Sequence, residues 1–340
     1  MNSLKTARSG ILAGGNFITD YVKMIDAWPE QDTLASIRSE SMCNGGGPYN
    51  ILKDLALLAP DLPREACGLI GEDLNGDWIL KDCELANINT TQLHRTNAAS
   101  TSYTDAMTVA PTGRRTFFHQ RGANALLEPE HFDFEGTDAK IFMLGYLMLL
   151  NRLDEIDADG QTGSAKVLQA ARAAGLITAV DCVSEPNPKF PDVVLSALGE
   201  TDILFLNEFE IGQIIREEVP VERNAMVDAA QKLASECHLK TTQIVLHSVA
   251  GAVVARADGS VFSHPSVKIP VDQIAGSSGA GDAFAAGYLL GIHNDQEIEV
   301  CLSQAVCVAA QSLTDPTPSG GMTTLEECLA NGDRFGFSEF

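Results

Sequence analysis

The sequence predicts an α/β fold: a mainly parallel central sheet with helices on both faces, plus a small β lid. Three observations carry this expectation. From residue 140 onward, short apolar runs alternate with segments of helical spacing, the pattern of right-handed crossovers between parallel strands. The first 125 residues instead hold extended, turn-punctuated runs. No internal repeat or low-complexity linker divides the chain, so residues 1–340 read as one domain, with the lid contributed by residues 20–44 and 98–121.

The elements follow in order. Segment 20–42 is extended and is interrupted by Pro29. Gly45, Gly46 and Gly47 followed by Pro48 read as a strand-to-helix turn, with proline in the first helical turn. Segment 101–121 holds two extended runs around Pro111-Thr112-Gly113, a hairpin signal. AKIFMLGYL (139–147) has the apolar character of a buried strand, GSAKVLQAARAA (163–174) that of a helix, and LITAVD (176–181) that of the next strand. ILFL (203–206) and QIVLH (243–247) are further strands. Between them, Met226, Ala229, Ala230, Leu233 and Cys237 recur at helical spacing over 223–237. A last helix is expected over 280–292.

A chain of 340 residues buries roughly three-quarters of its unfolded surface, so its core needs no disulfide or metal staple. Hydrophobic residues make up 45% and charged residues 20%, with no apolar stretch long enough to span a bilayer. The formal charge of −23 opposes broad contact with nucleic acid, whose affinity rests on Lys and Arg neutralising phosphates. The segment MNSLKTARSGILAGGNF has only a brief apolar run broken by glycines, short of a signal-peptide core, so a cytoplasmic location is expected. The 8 cysteines form no CxxC pair and no metal-like grouping with His, and are expected to be mostly small buried apolar side chains.

The chemistry is concentrated in GSSGAGDAFAAGYL (276–289). Gly276 and Gly281 are spaced like the outer glycines of a phosphate-cradling loop, but Asp282 stands where such a loop needs its lysine. If the helix starts near Ala280, the amides of Gly279, Ala280, Gly281 and Asp282 can converge on a phosphoryl group. The Asp282 carboxylate is then left to accept a proton from an attacking hydroxyl. At its ordinary pKa of about 4 it is ionised at neutral pH. On the loop alone, Asp282 as a helix cap is an equal reading.

SSGAGDAFAAGYL closely resembles the C-terminal signature of the ribokinase-like sugar kinases, the phosphofructokinase B family. Other segments match in the family's order: GGNFITD (14–20), GGGPYN (45–50), GLIGEDLNGDWI (68–79), RGANALL (121–127), NEFE (207–210) and LHSVAGAVV (246–254). The resemblance spans residues 10–320 or so and implies a ribokinase-like fold. It makes Asp282 the catalytic base, with the amides of Gly279, Ala280 and Gly281 as its anion hole. It places Asp20, Gly45, Gly46, Asn50 and Asn124 around a sugar, and Ser248, Gly251 and Ser278 around ATP. Asn207 and Glu210 would support magnesium, with Glu210 acting through water, in keeping with an ion that retains several waters. A homodimer through the lid strands is implied as well.

There are departures. Gly276 stands where Asp or Asn is usual, which bears on the potassium ion that many members bind nearby; Ser248 replaces a nucleotide-loop glycine; and Ile18 stands in place of an early Asn. Read without the family, Asp20 is a strand-end turn residue, Asn207 and Glu210 are a helix start, His247 ends a strand, and Arg114, Arg115 and Arg121 are hairpin charges. A closing lid would give one of those arginines an anionic group to recognise. The expected function is ATP-dependent phosphorylation of a primary hydroxyl of a sugar or sugar derivative. A nucleoside kinase of the same fold and a non-catalytic sugar- or nucleotide-binding member are the alternatives. No strand is followed by G-x-G-x-x-G in the place a dinucleotide-binding dehydrogenase requires.

Overall fold

The structure is a computed structural model that describes residues 8–237 and 242–340; the first seven residues of the amino-terminal segment considered above lie outside it. Among the described residues thirteen strands occur in chain order: β1 (Ile11–Gly15), β2 (Ile18–Ile25), β3 (Ile37–Gly45), β4 (Arg64–Gly71), β5 (Asn89–Thr96), β6 (Tyr103–Val109), β7 (Arg115–Gln120), β8 (Ile141–Leu147), β9 (Ile177–Cys182), β10 (Ile203–Asn207), β11 (Gln243–His247), β12 (Gly251–Arg256) and β13 (Val261–Pro265).

Nine of them form one sheet in the order β13-β12-β11-β10-β9-β8-β1-β4-β5. The pairings from β11 through to β5 are parallel, while β12 and β13 are antiparallel. Alternation along each strand sends side chains to opposite faces. Ile203 and Phe205 thus join one buried cluster, and Leu204 and Leu206 the other. One cluster is closed by helices Gly47–Leu58, Ala280–His293 and Ile298–Ser312, the other by Gly163–Ala173, Phe190–Leu198 and Arg223–Ala234. Strands buried on both faces explain why 139–147 and 203–206 read as continuous apolar runs.

The remaining four strands form a separate small sheet, β3-β2-β6-β7. The hairpin expected over 101–121 is β6–β7, closed by Gly113 N donating to the Val109 carbonyl at 2.8 Å. Asp20 differs from expectation in its setting. It does not end the first strand; β1 stops at Gly15, and Asp20 is the third residue of β2, in the small sheet. The reason is that the chain crosses from one sheet to the other at Asn16-Phe17, where Asn16 N is held by the Gly145 carbonyl at 2.9 Å.

Six cysteines are buried and Cys43 and Cys237 are partly so; all eight are free thiols. Among the described residues no helix is long and apolar enough to cross a membrane.

Candidate active site

Parallel strands of an open sheet leave a crevice beyond their carboxyl ends, where ligands of such folds bind. Here that crevice is a cavity of about 640 Å³, lined by the ends of β8, β9, β10 and β11, by 277–282, and by Asp20, Thr104, Phe117 and His119 of the small sheet.

Its floor is the start of helix Ala280–His293. Gly279 precedes that helix at φ +76°, and a Cβ there would fall 2.7 Å from the Pro318 Cα, so both conformation and space require glycine. The amides of the first turn lack intrahelical acceptors by helix geometry. That of Ala280 makes only a long 3.4 Å bond to the Ser277 carbonyl. Ser278, Gly279, Ala280 and Gly281 all line the cavity, and the His247 ring lies 3.3 Å from where a Gly281 Cβ would be.

Asp282 is 3% exposed. Tyr146 Oη donates to its Oδ1 at 2.6 Å and Asn50 Nδ2 donates to its Oδ2 at 2.7 Å. Burial pushes its pKa up to about 6, with the Asn50 and Tyr146 hydrogen bonds pulling the other way. The ordinary value of about 4 expected from the sequence therefore does not hold, because a carboxylate removed from water is costly to ionise. Asp282 does not cap the helix through its side chain; the carboxylate is turned to Asn50 and Tyr146.

Four further carboxyl groups line the cavity, those of Asp20, Asp181, Glu185 and Glu210. Asp20 rises to about 7, chiefly through burial, with the nearby charge of Asp282 adding to it and the Thr104 hydroxyl opposing. Asp181 is raised well above the carboxylate range by burial, then by Glu210 and Asp282. Glu210 rises to about 7, mainly through burial.

Asn207 and Glu210 form a reciprocal cap on helix Glu208–Ile215: the Asn207 side chain accepts from Glu210 N and Glu210 Oε2 accepts from Asn207 N, both at 2.9 Å. Ser184 Oγ donates to Glu210 Oε1 at 2.7 Å. The helix-start reading and the cavity reading thus hold together, since both residues line the cavity.

Among the described residues no three His, Cys, Asp or Glu side chains are grouped to grip a metal directly. The fit to magnesium is instead electrostatic. Five carboxyl groups line this one space, and among the described residues its one lining arginine, Arg121, is already paired with one of them, Glu185, at 2.8 Å. A divalent cation that keeps its waters suits such an acid-rich, cation-poor wall.

Other residues singled out in the sequence fall variously. Gly46 and Asn50 line the cavity. Asn50 is committed on both sides, accepting from Asn44 Nδ2 at 2.7 Å while donating to Asp282. Gly45 sits behind Asp20: a Cβ there would lie 2.4 Å from the carboxyl group. Asn124 is fully buried outside the lining and donates to the Phe17 carbonyl at 3.4 Å. Ser248 and Gly251 make the β11–β12 turn, with Ser248 N donating to the Gly251 carbonyl at 2.9 Å, and they too are outside the lining. His247 ends β11 and burial holds its pKa down at about 4, which leaves it neutral. Arg121 lines the cavity, whereas Arg115 reaches elsewhere, to the Pro316 carbonyl.

Sequence reasoning missed Tyr146, Asp181 and Ser184. Each lies at or just past the carboxyl end of an apolar run, 139–147 for Tyr146 and 176–181 for the other two. A polar residue closing a buried parallel strand is the signal that marks such positions.

The family of pfkB carbohydrate kinases matches residues 15–325. The chain is similar to the ATP-dependent ribose-1-phosphate kinase of Halopiger xanaduensis, 26% identical over 296 residues covering 87% of this chain and 88% of that one. It is similar to adenosine kinase 2 of Arabidopsis thaliana, 24% identical over 83% of this chain and 81% of that one. In fold it resembles the Arabidopsis thaliana ribokinase solved with ribose and ATP, at a TM-score of 0.75 and 19% identity, covering 95% of this chain and 98% of that one. The helix-start aspartate, the cavity at the strand ends and a family match running nearly the length of the molecule converge: this chain is a kinase and belongs to the pfkB family of carbohydrate kinases.

Proposed function

We propose that the protein transfers the γ-phosphoryl group of ATP to a primary hydroxyl of a sugar or sugar derivative, with Asp282 as the base. The observation that carries this reading is the Asp282 carboxylate, buried on the first turn of helix Ala280–His293 beside amides that lack intrahelical acceptors. Tyr146 and Asn50 each use one acceptor position of the carboxylate. A carboxylate has about four such positions, so room remains for a substrate hydroxyl.

As the hydroxyl oxygen bonds to the γ-phosphorus, its proton passes to Asp282, the bond to the bridging oxygen breaks, and ADP leaves. The amides of 279–282 offset charge on the transferring group. Asn207 and Glu210 would hold the waters of magnesium, which when bound neutralises phosphate oxygens. Potassium is not part of this reading, because Gly276 offers no carboxylate to hold it.

Asp20 and Thr104 present polar atoms to the acceptor, and Phe117 an apolar face. The small sheet acts as a lid that excludes water and limits wasteful ATP hydrolysis. Its other face carries Trp28 stacked on Phe118, both about half exposed, a surface suited to pairing with a second copy.

A nucleoside acceptor is the second reading. It is favoured by Phe117, a ring on which a base can stack, and by the adenosine kinase among the relatives.

The test is an ADP-release screen over sugars, sugar phosphates, sugar acids and nucleosides, with and without magnesium. Acceptor-dependent release is expected for one class in wild type, with turnover lower by about 10²–10⁴-fold in Asp282→Asn. A variant retaining near-native turnover refutes the assignment of the base.

A further inference from the structure

Arg115, on β7 of the small sheet, does not line the cavity. Its guanidinium reaches the backbone that leads into the 279–282 loop. Nη2 donates to the Pro316 carbonyl at 3.1 Å, and a Cβ on Gly276 would lie 2.4 Å from that same nitrogen and 2.9 Å from the Pro316 Cα. The guanidinium is thus seated against residue 276, in space that any side chain there would fill.

The two loops it touches are joined to each other and to the site. Ala275 N and Gly276 N donate to the Leu313 carbonyl at 2.8 and 3.3 Å, and Pro318 packs on Gly279. No carboxylate among the described residues forms an ion pair with Arg115. Asp315 spends its Oδ1 on Thr317 N and Oγ1, at 2.8 and 2.6 Å. The neighbouring Cys43 thiol is pushed by burial up to about 12 and stays neutral. A half-buried guanidinium without an ion pair therefore stands against Gly276, six residues ahead of Asp282.

We propose that Arg115 is a positioning residue: from the small sheet it supplies the fixed positive charge that steadies the 276–282 loop, so turnover needs no monovalent cation. This rests on the phosphoryl-transfer reading above. Gly276, which the family resemblance marks as a departure from the usual Asp or Asn, is on this account the space that admits an internal cation. Arginine suits the role because its planar, permanently charged group can pack flat on backbone while donating to a carbonyl.

The test compares wild type, Arg115→Lys, Arg115→Ala and Gly276→Ala in potassium chloride against tetramethylammonium chloride at equal ionic strength. Wild-type kcat is expected to agree within about twofold in the two salts. Arg115→Ala is expected to lose about 10- to 100-fold in kcat with little change in acceptor KM, and to regain part of it with potassium or guanidinium ions. Arg115→Lys should keep most of the activity. Gly276→Ala, which displaces the guanidinium without deleting it, should lose kcat and gain a potassium response, and so serves if Arg115→Ala folds poorly. Thermal stabilisation by magnesium-ADP is measured on the same panel, with the potassium dependence expected only in the Ala variants. This readout needs no acceptor, so a wrong assignment of the base or the substrate leaves it intact. Wild type stimulated several-fold by potassium, or Arg115→Ala with unchanged kcat, overturns the proposal.

Discussion

The cavity has two walls built on different physics. One is the large sheet with helices Gly47–Leu58 and Ala280–His293, where polar groups are buried and their hydrogen bonds fix one another: Asn50 to Asp282, Tyr146 to Asp282, Ser184 to Glu210. The other is the inner face of the small sheet, where Phe117 is 57% exposed. Buried, mutually satisfied polar networks hold a single arrangement, whereas a thin sheet projecting into solvent can adjust. On the proposed function, this difference assigns the rate to the first wall and the choice of acceptor to the inner face of the second.

Three substitutions sharpen or break that division, beginning with the largest effect. Gly279→Ala puts a Cβ at 2.7 Å from Pro318 on a residue at φ +76°, so the loop amides must move. A fall in kcat of about 10²–10³-fold is expected, measured by single-turnover phosphoryl transfer. Glu210→Gln keeps a side chain able to complete the helix cap but removes the charge. The magnesium concentration needed for half-maximal rate is expected to rise about 10- to 100-fold, read from a metal titration. Phe117→Ala strips the apolar face of the small sheet. Acceptor KM should rise about 10-fold with kcat within twofold, read from initial rates over acceptor concentration. A kcat effect from Phe117 as large as that from Gly279 would erase the distinction between the walls.

Much of the large sheet was legible because buried parallel strands and amphipathic helices leave local patterns, and the strands over 139–147 and 243–247 form within two residues of where the pattern placed them. Asp282, Gly279 and the Asn207–Glu210 pair, which line the cavity, were legible because each motif is contiguous; their residues alone left a cap or a plain helix start open, and the family resemblance pointed to a shared site. Tyr146 and Asp181 were not, because they meet Asp282 only through the strand order that places β1 beside β8 and β8 beside β9. No local spacing encodes that order. The raised pKa of Asp282 was invisible for the same reason, since it comes from burial by distant segments. Asn124 and Ser248 show the converse: a local match named them, and the packing around them gives each a role in holding backbone.

The central claim is that the ionised Asp282 carboxylate, held by Tyr146, receives the acceptor proton. Its most direct test is the pH dependence of single-turnover transfer in wild type and Tyr146→Phe. Because the carboxylate must be ionised to accept a proton and burial lifts its pKa to about 6, the wild-type rate should climb with pH through about 6 and level off above it. Losing the Tyr146 hydrogen bond, which favours the ionised form, should carry that limb upward by about one unit. A rate flat from pH 5 to 8, or a limb unmoved in Tyr146→Phe, would contradict the account.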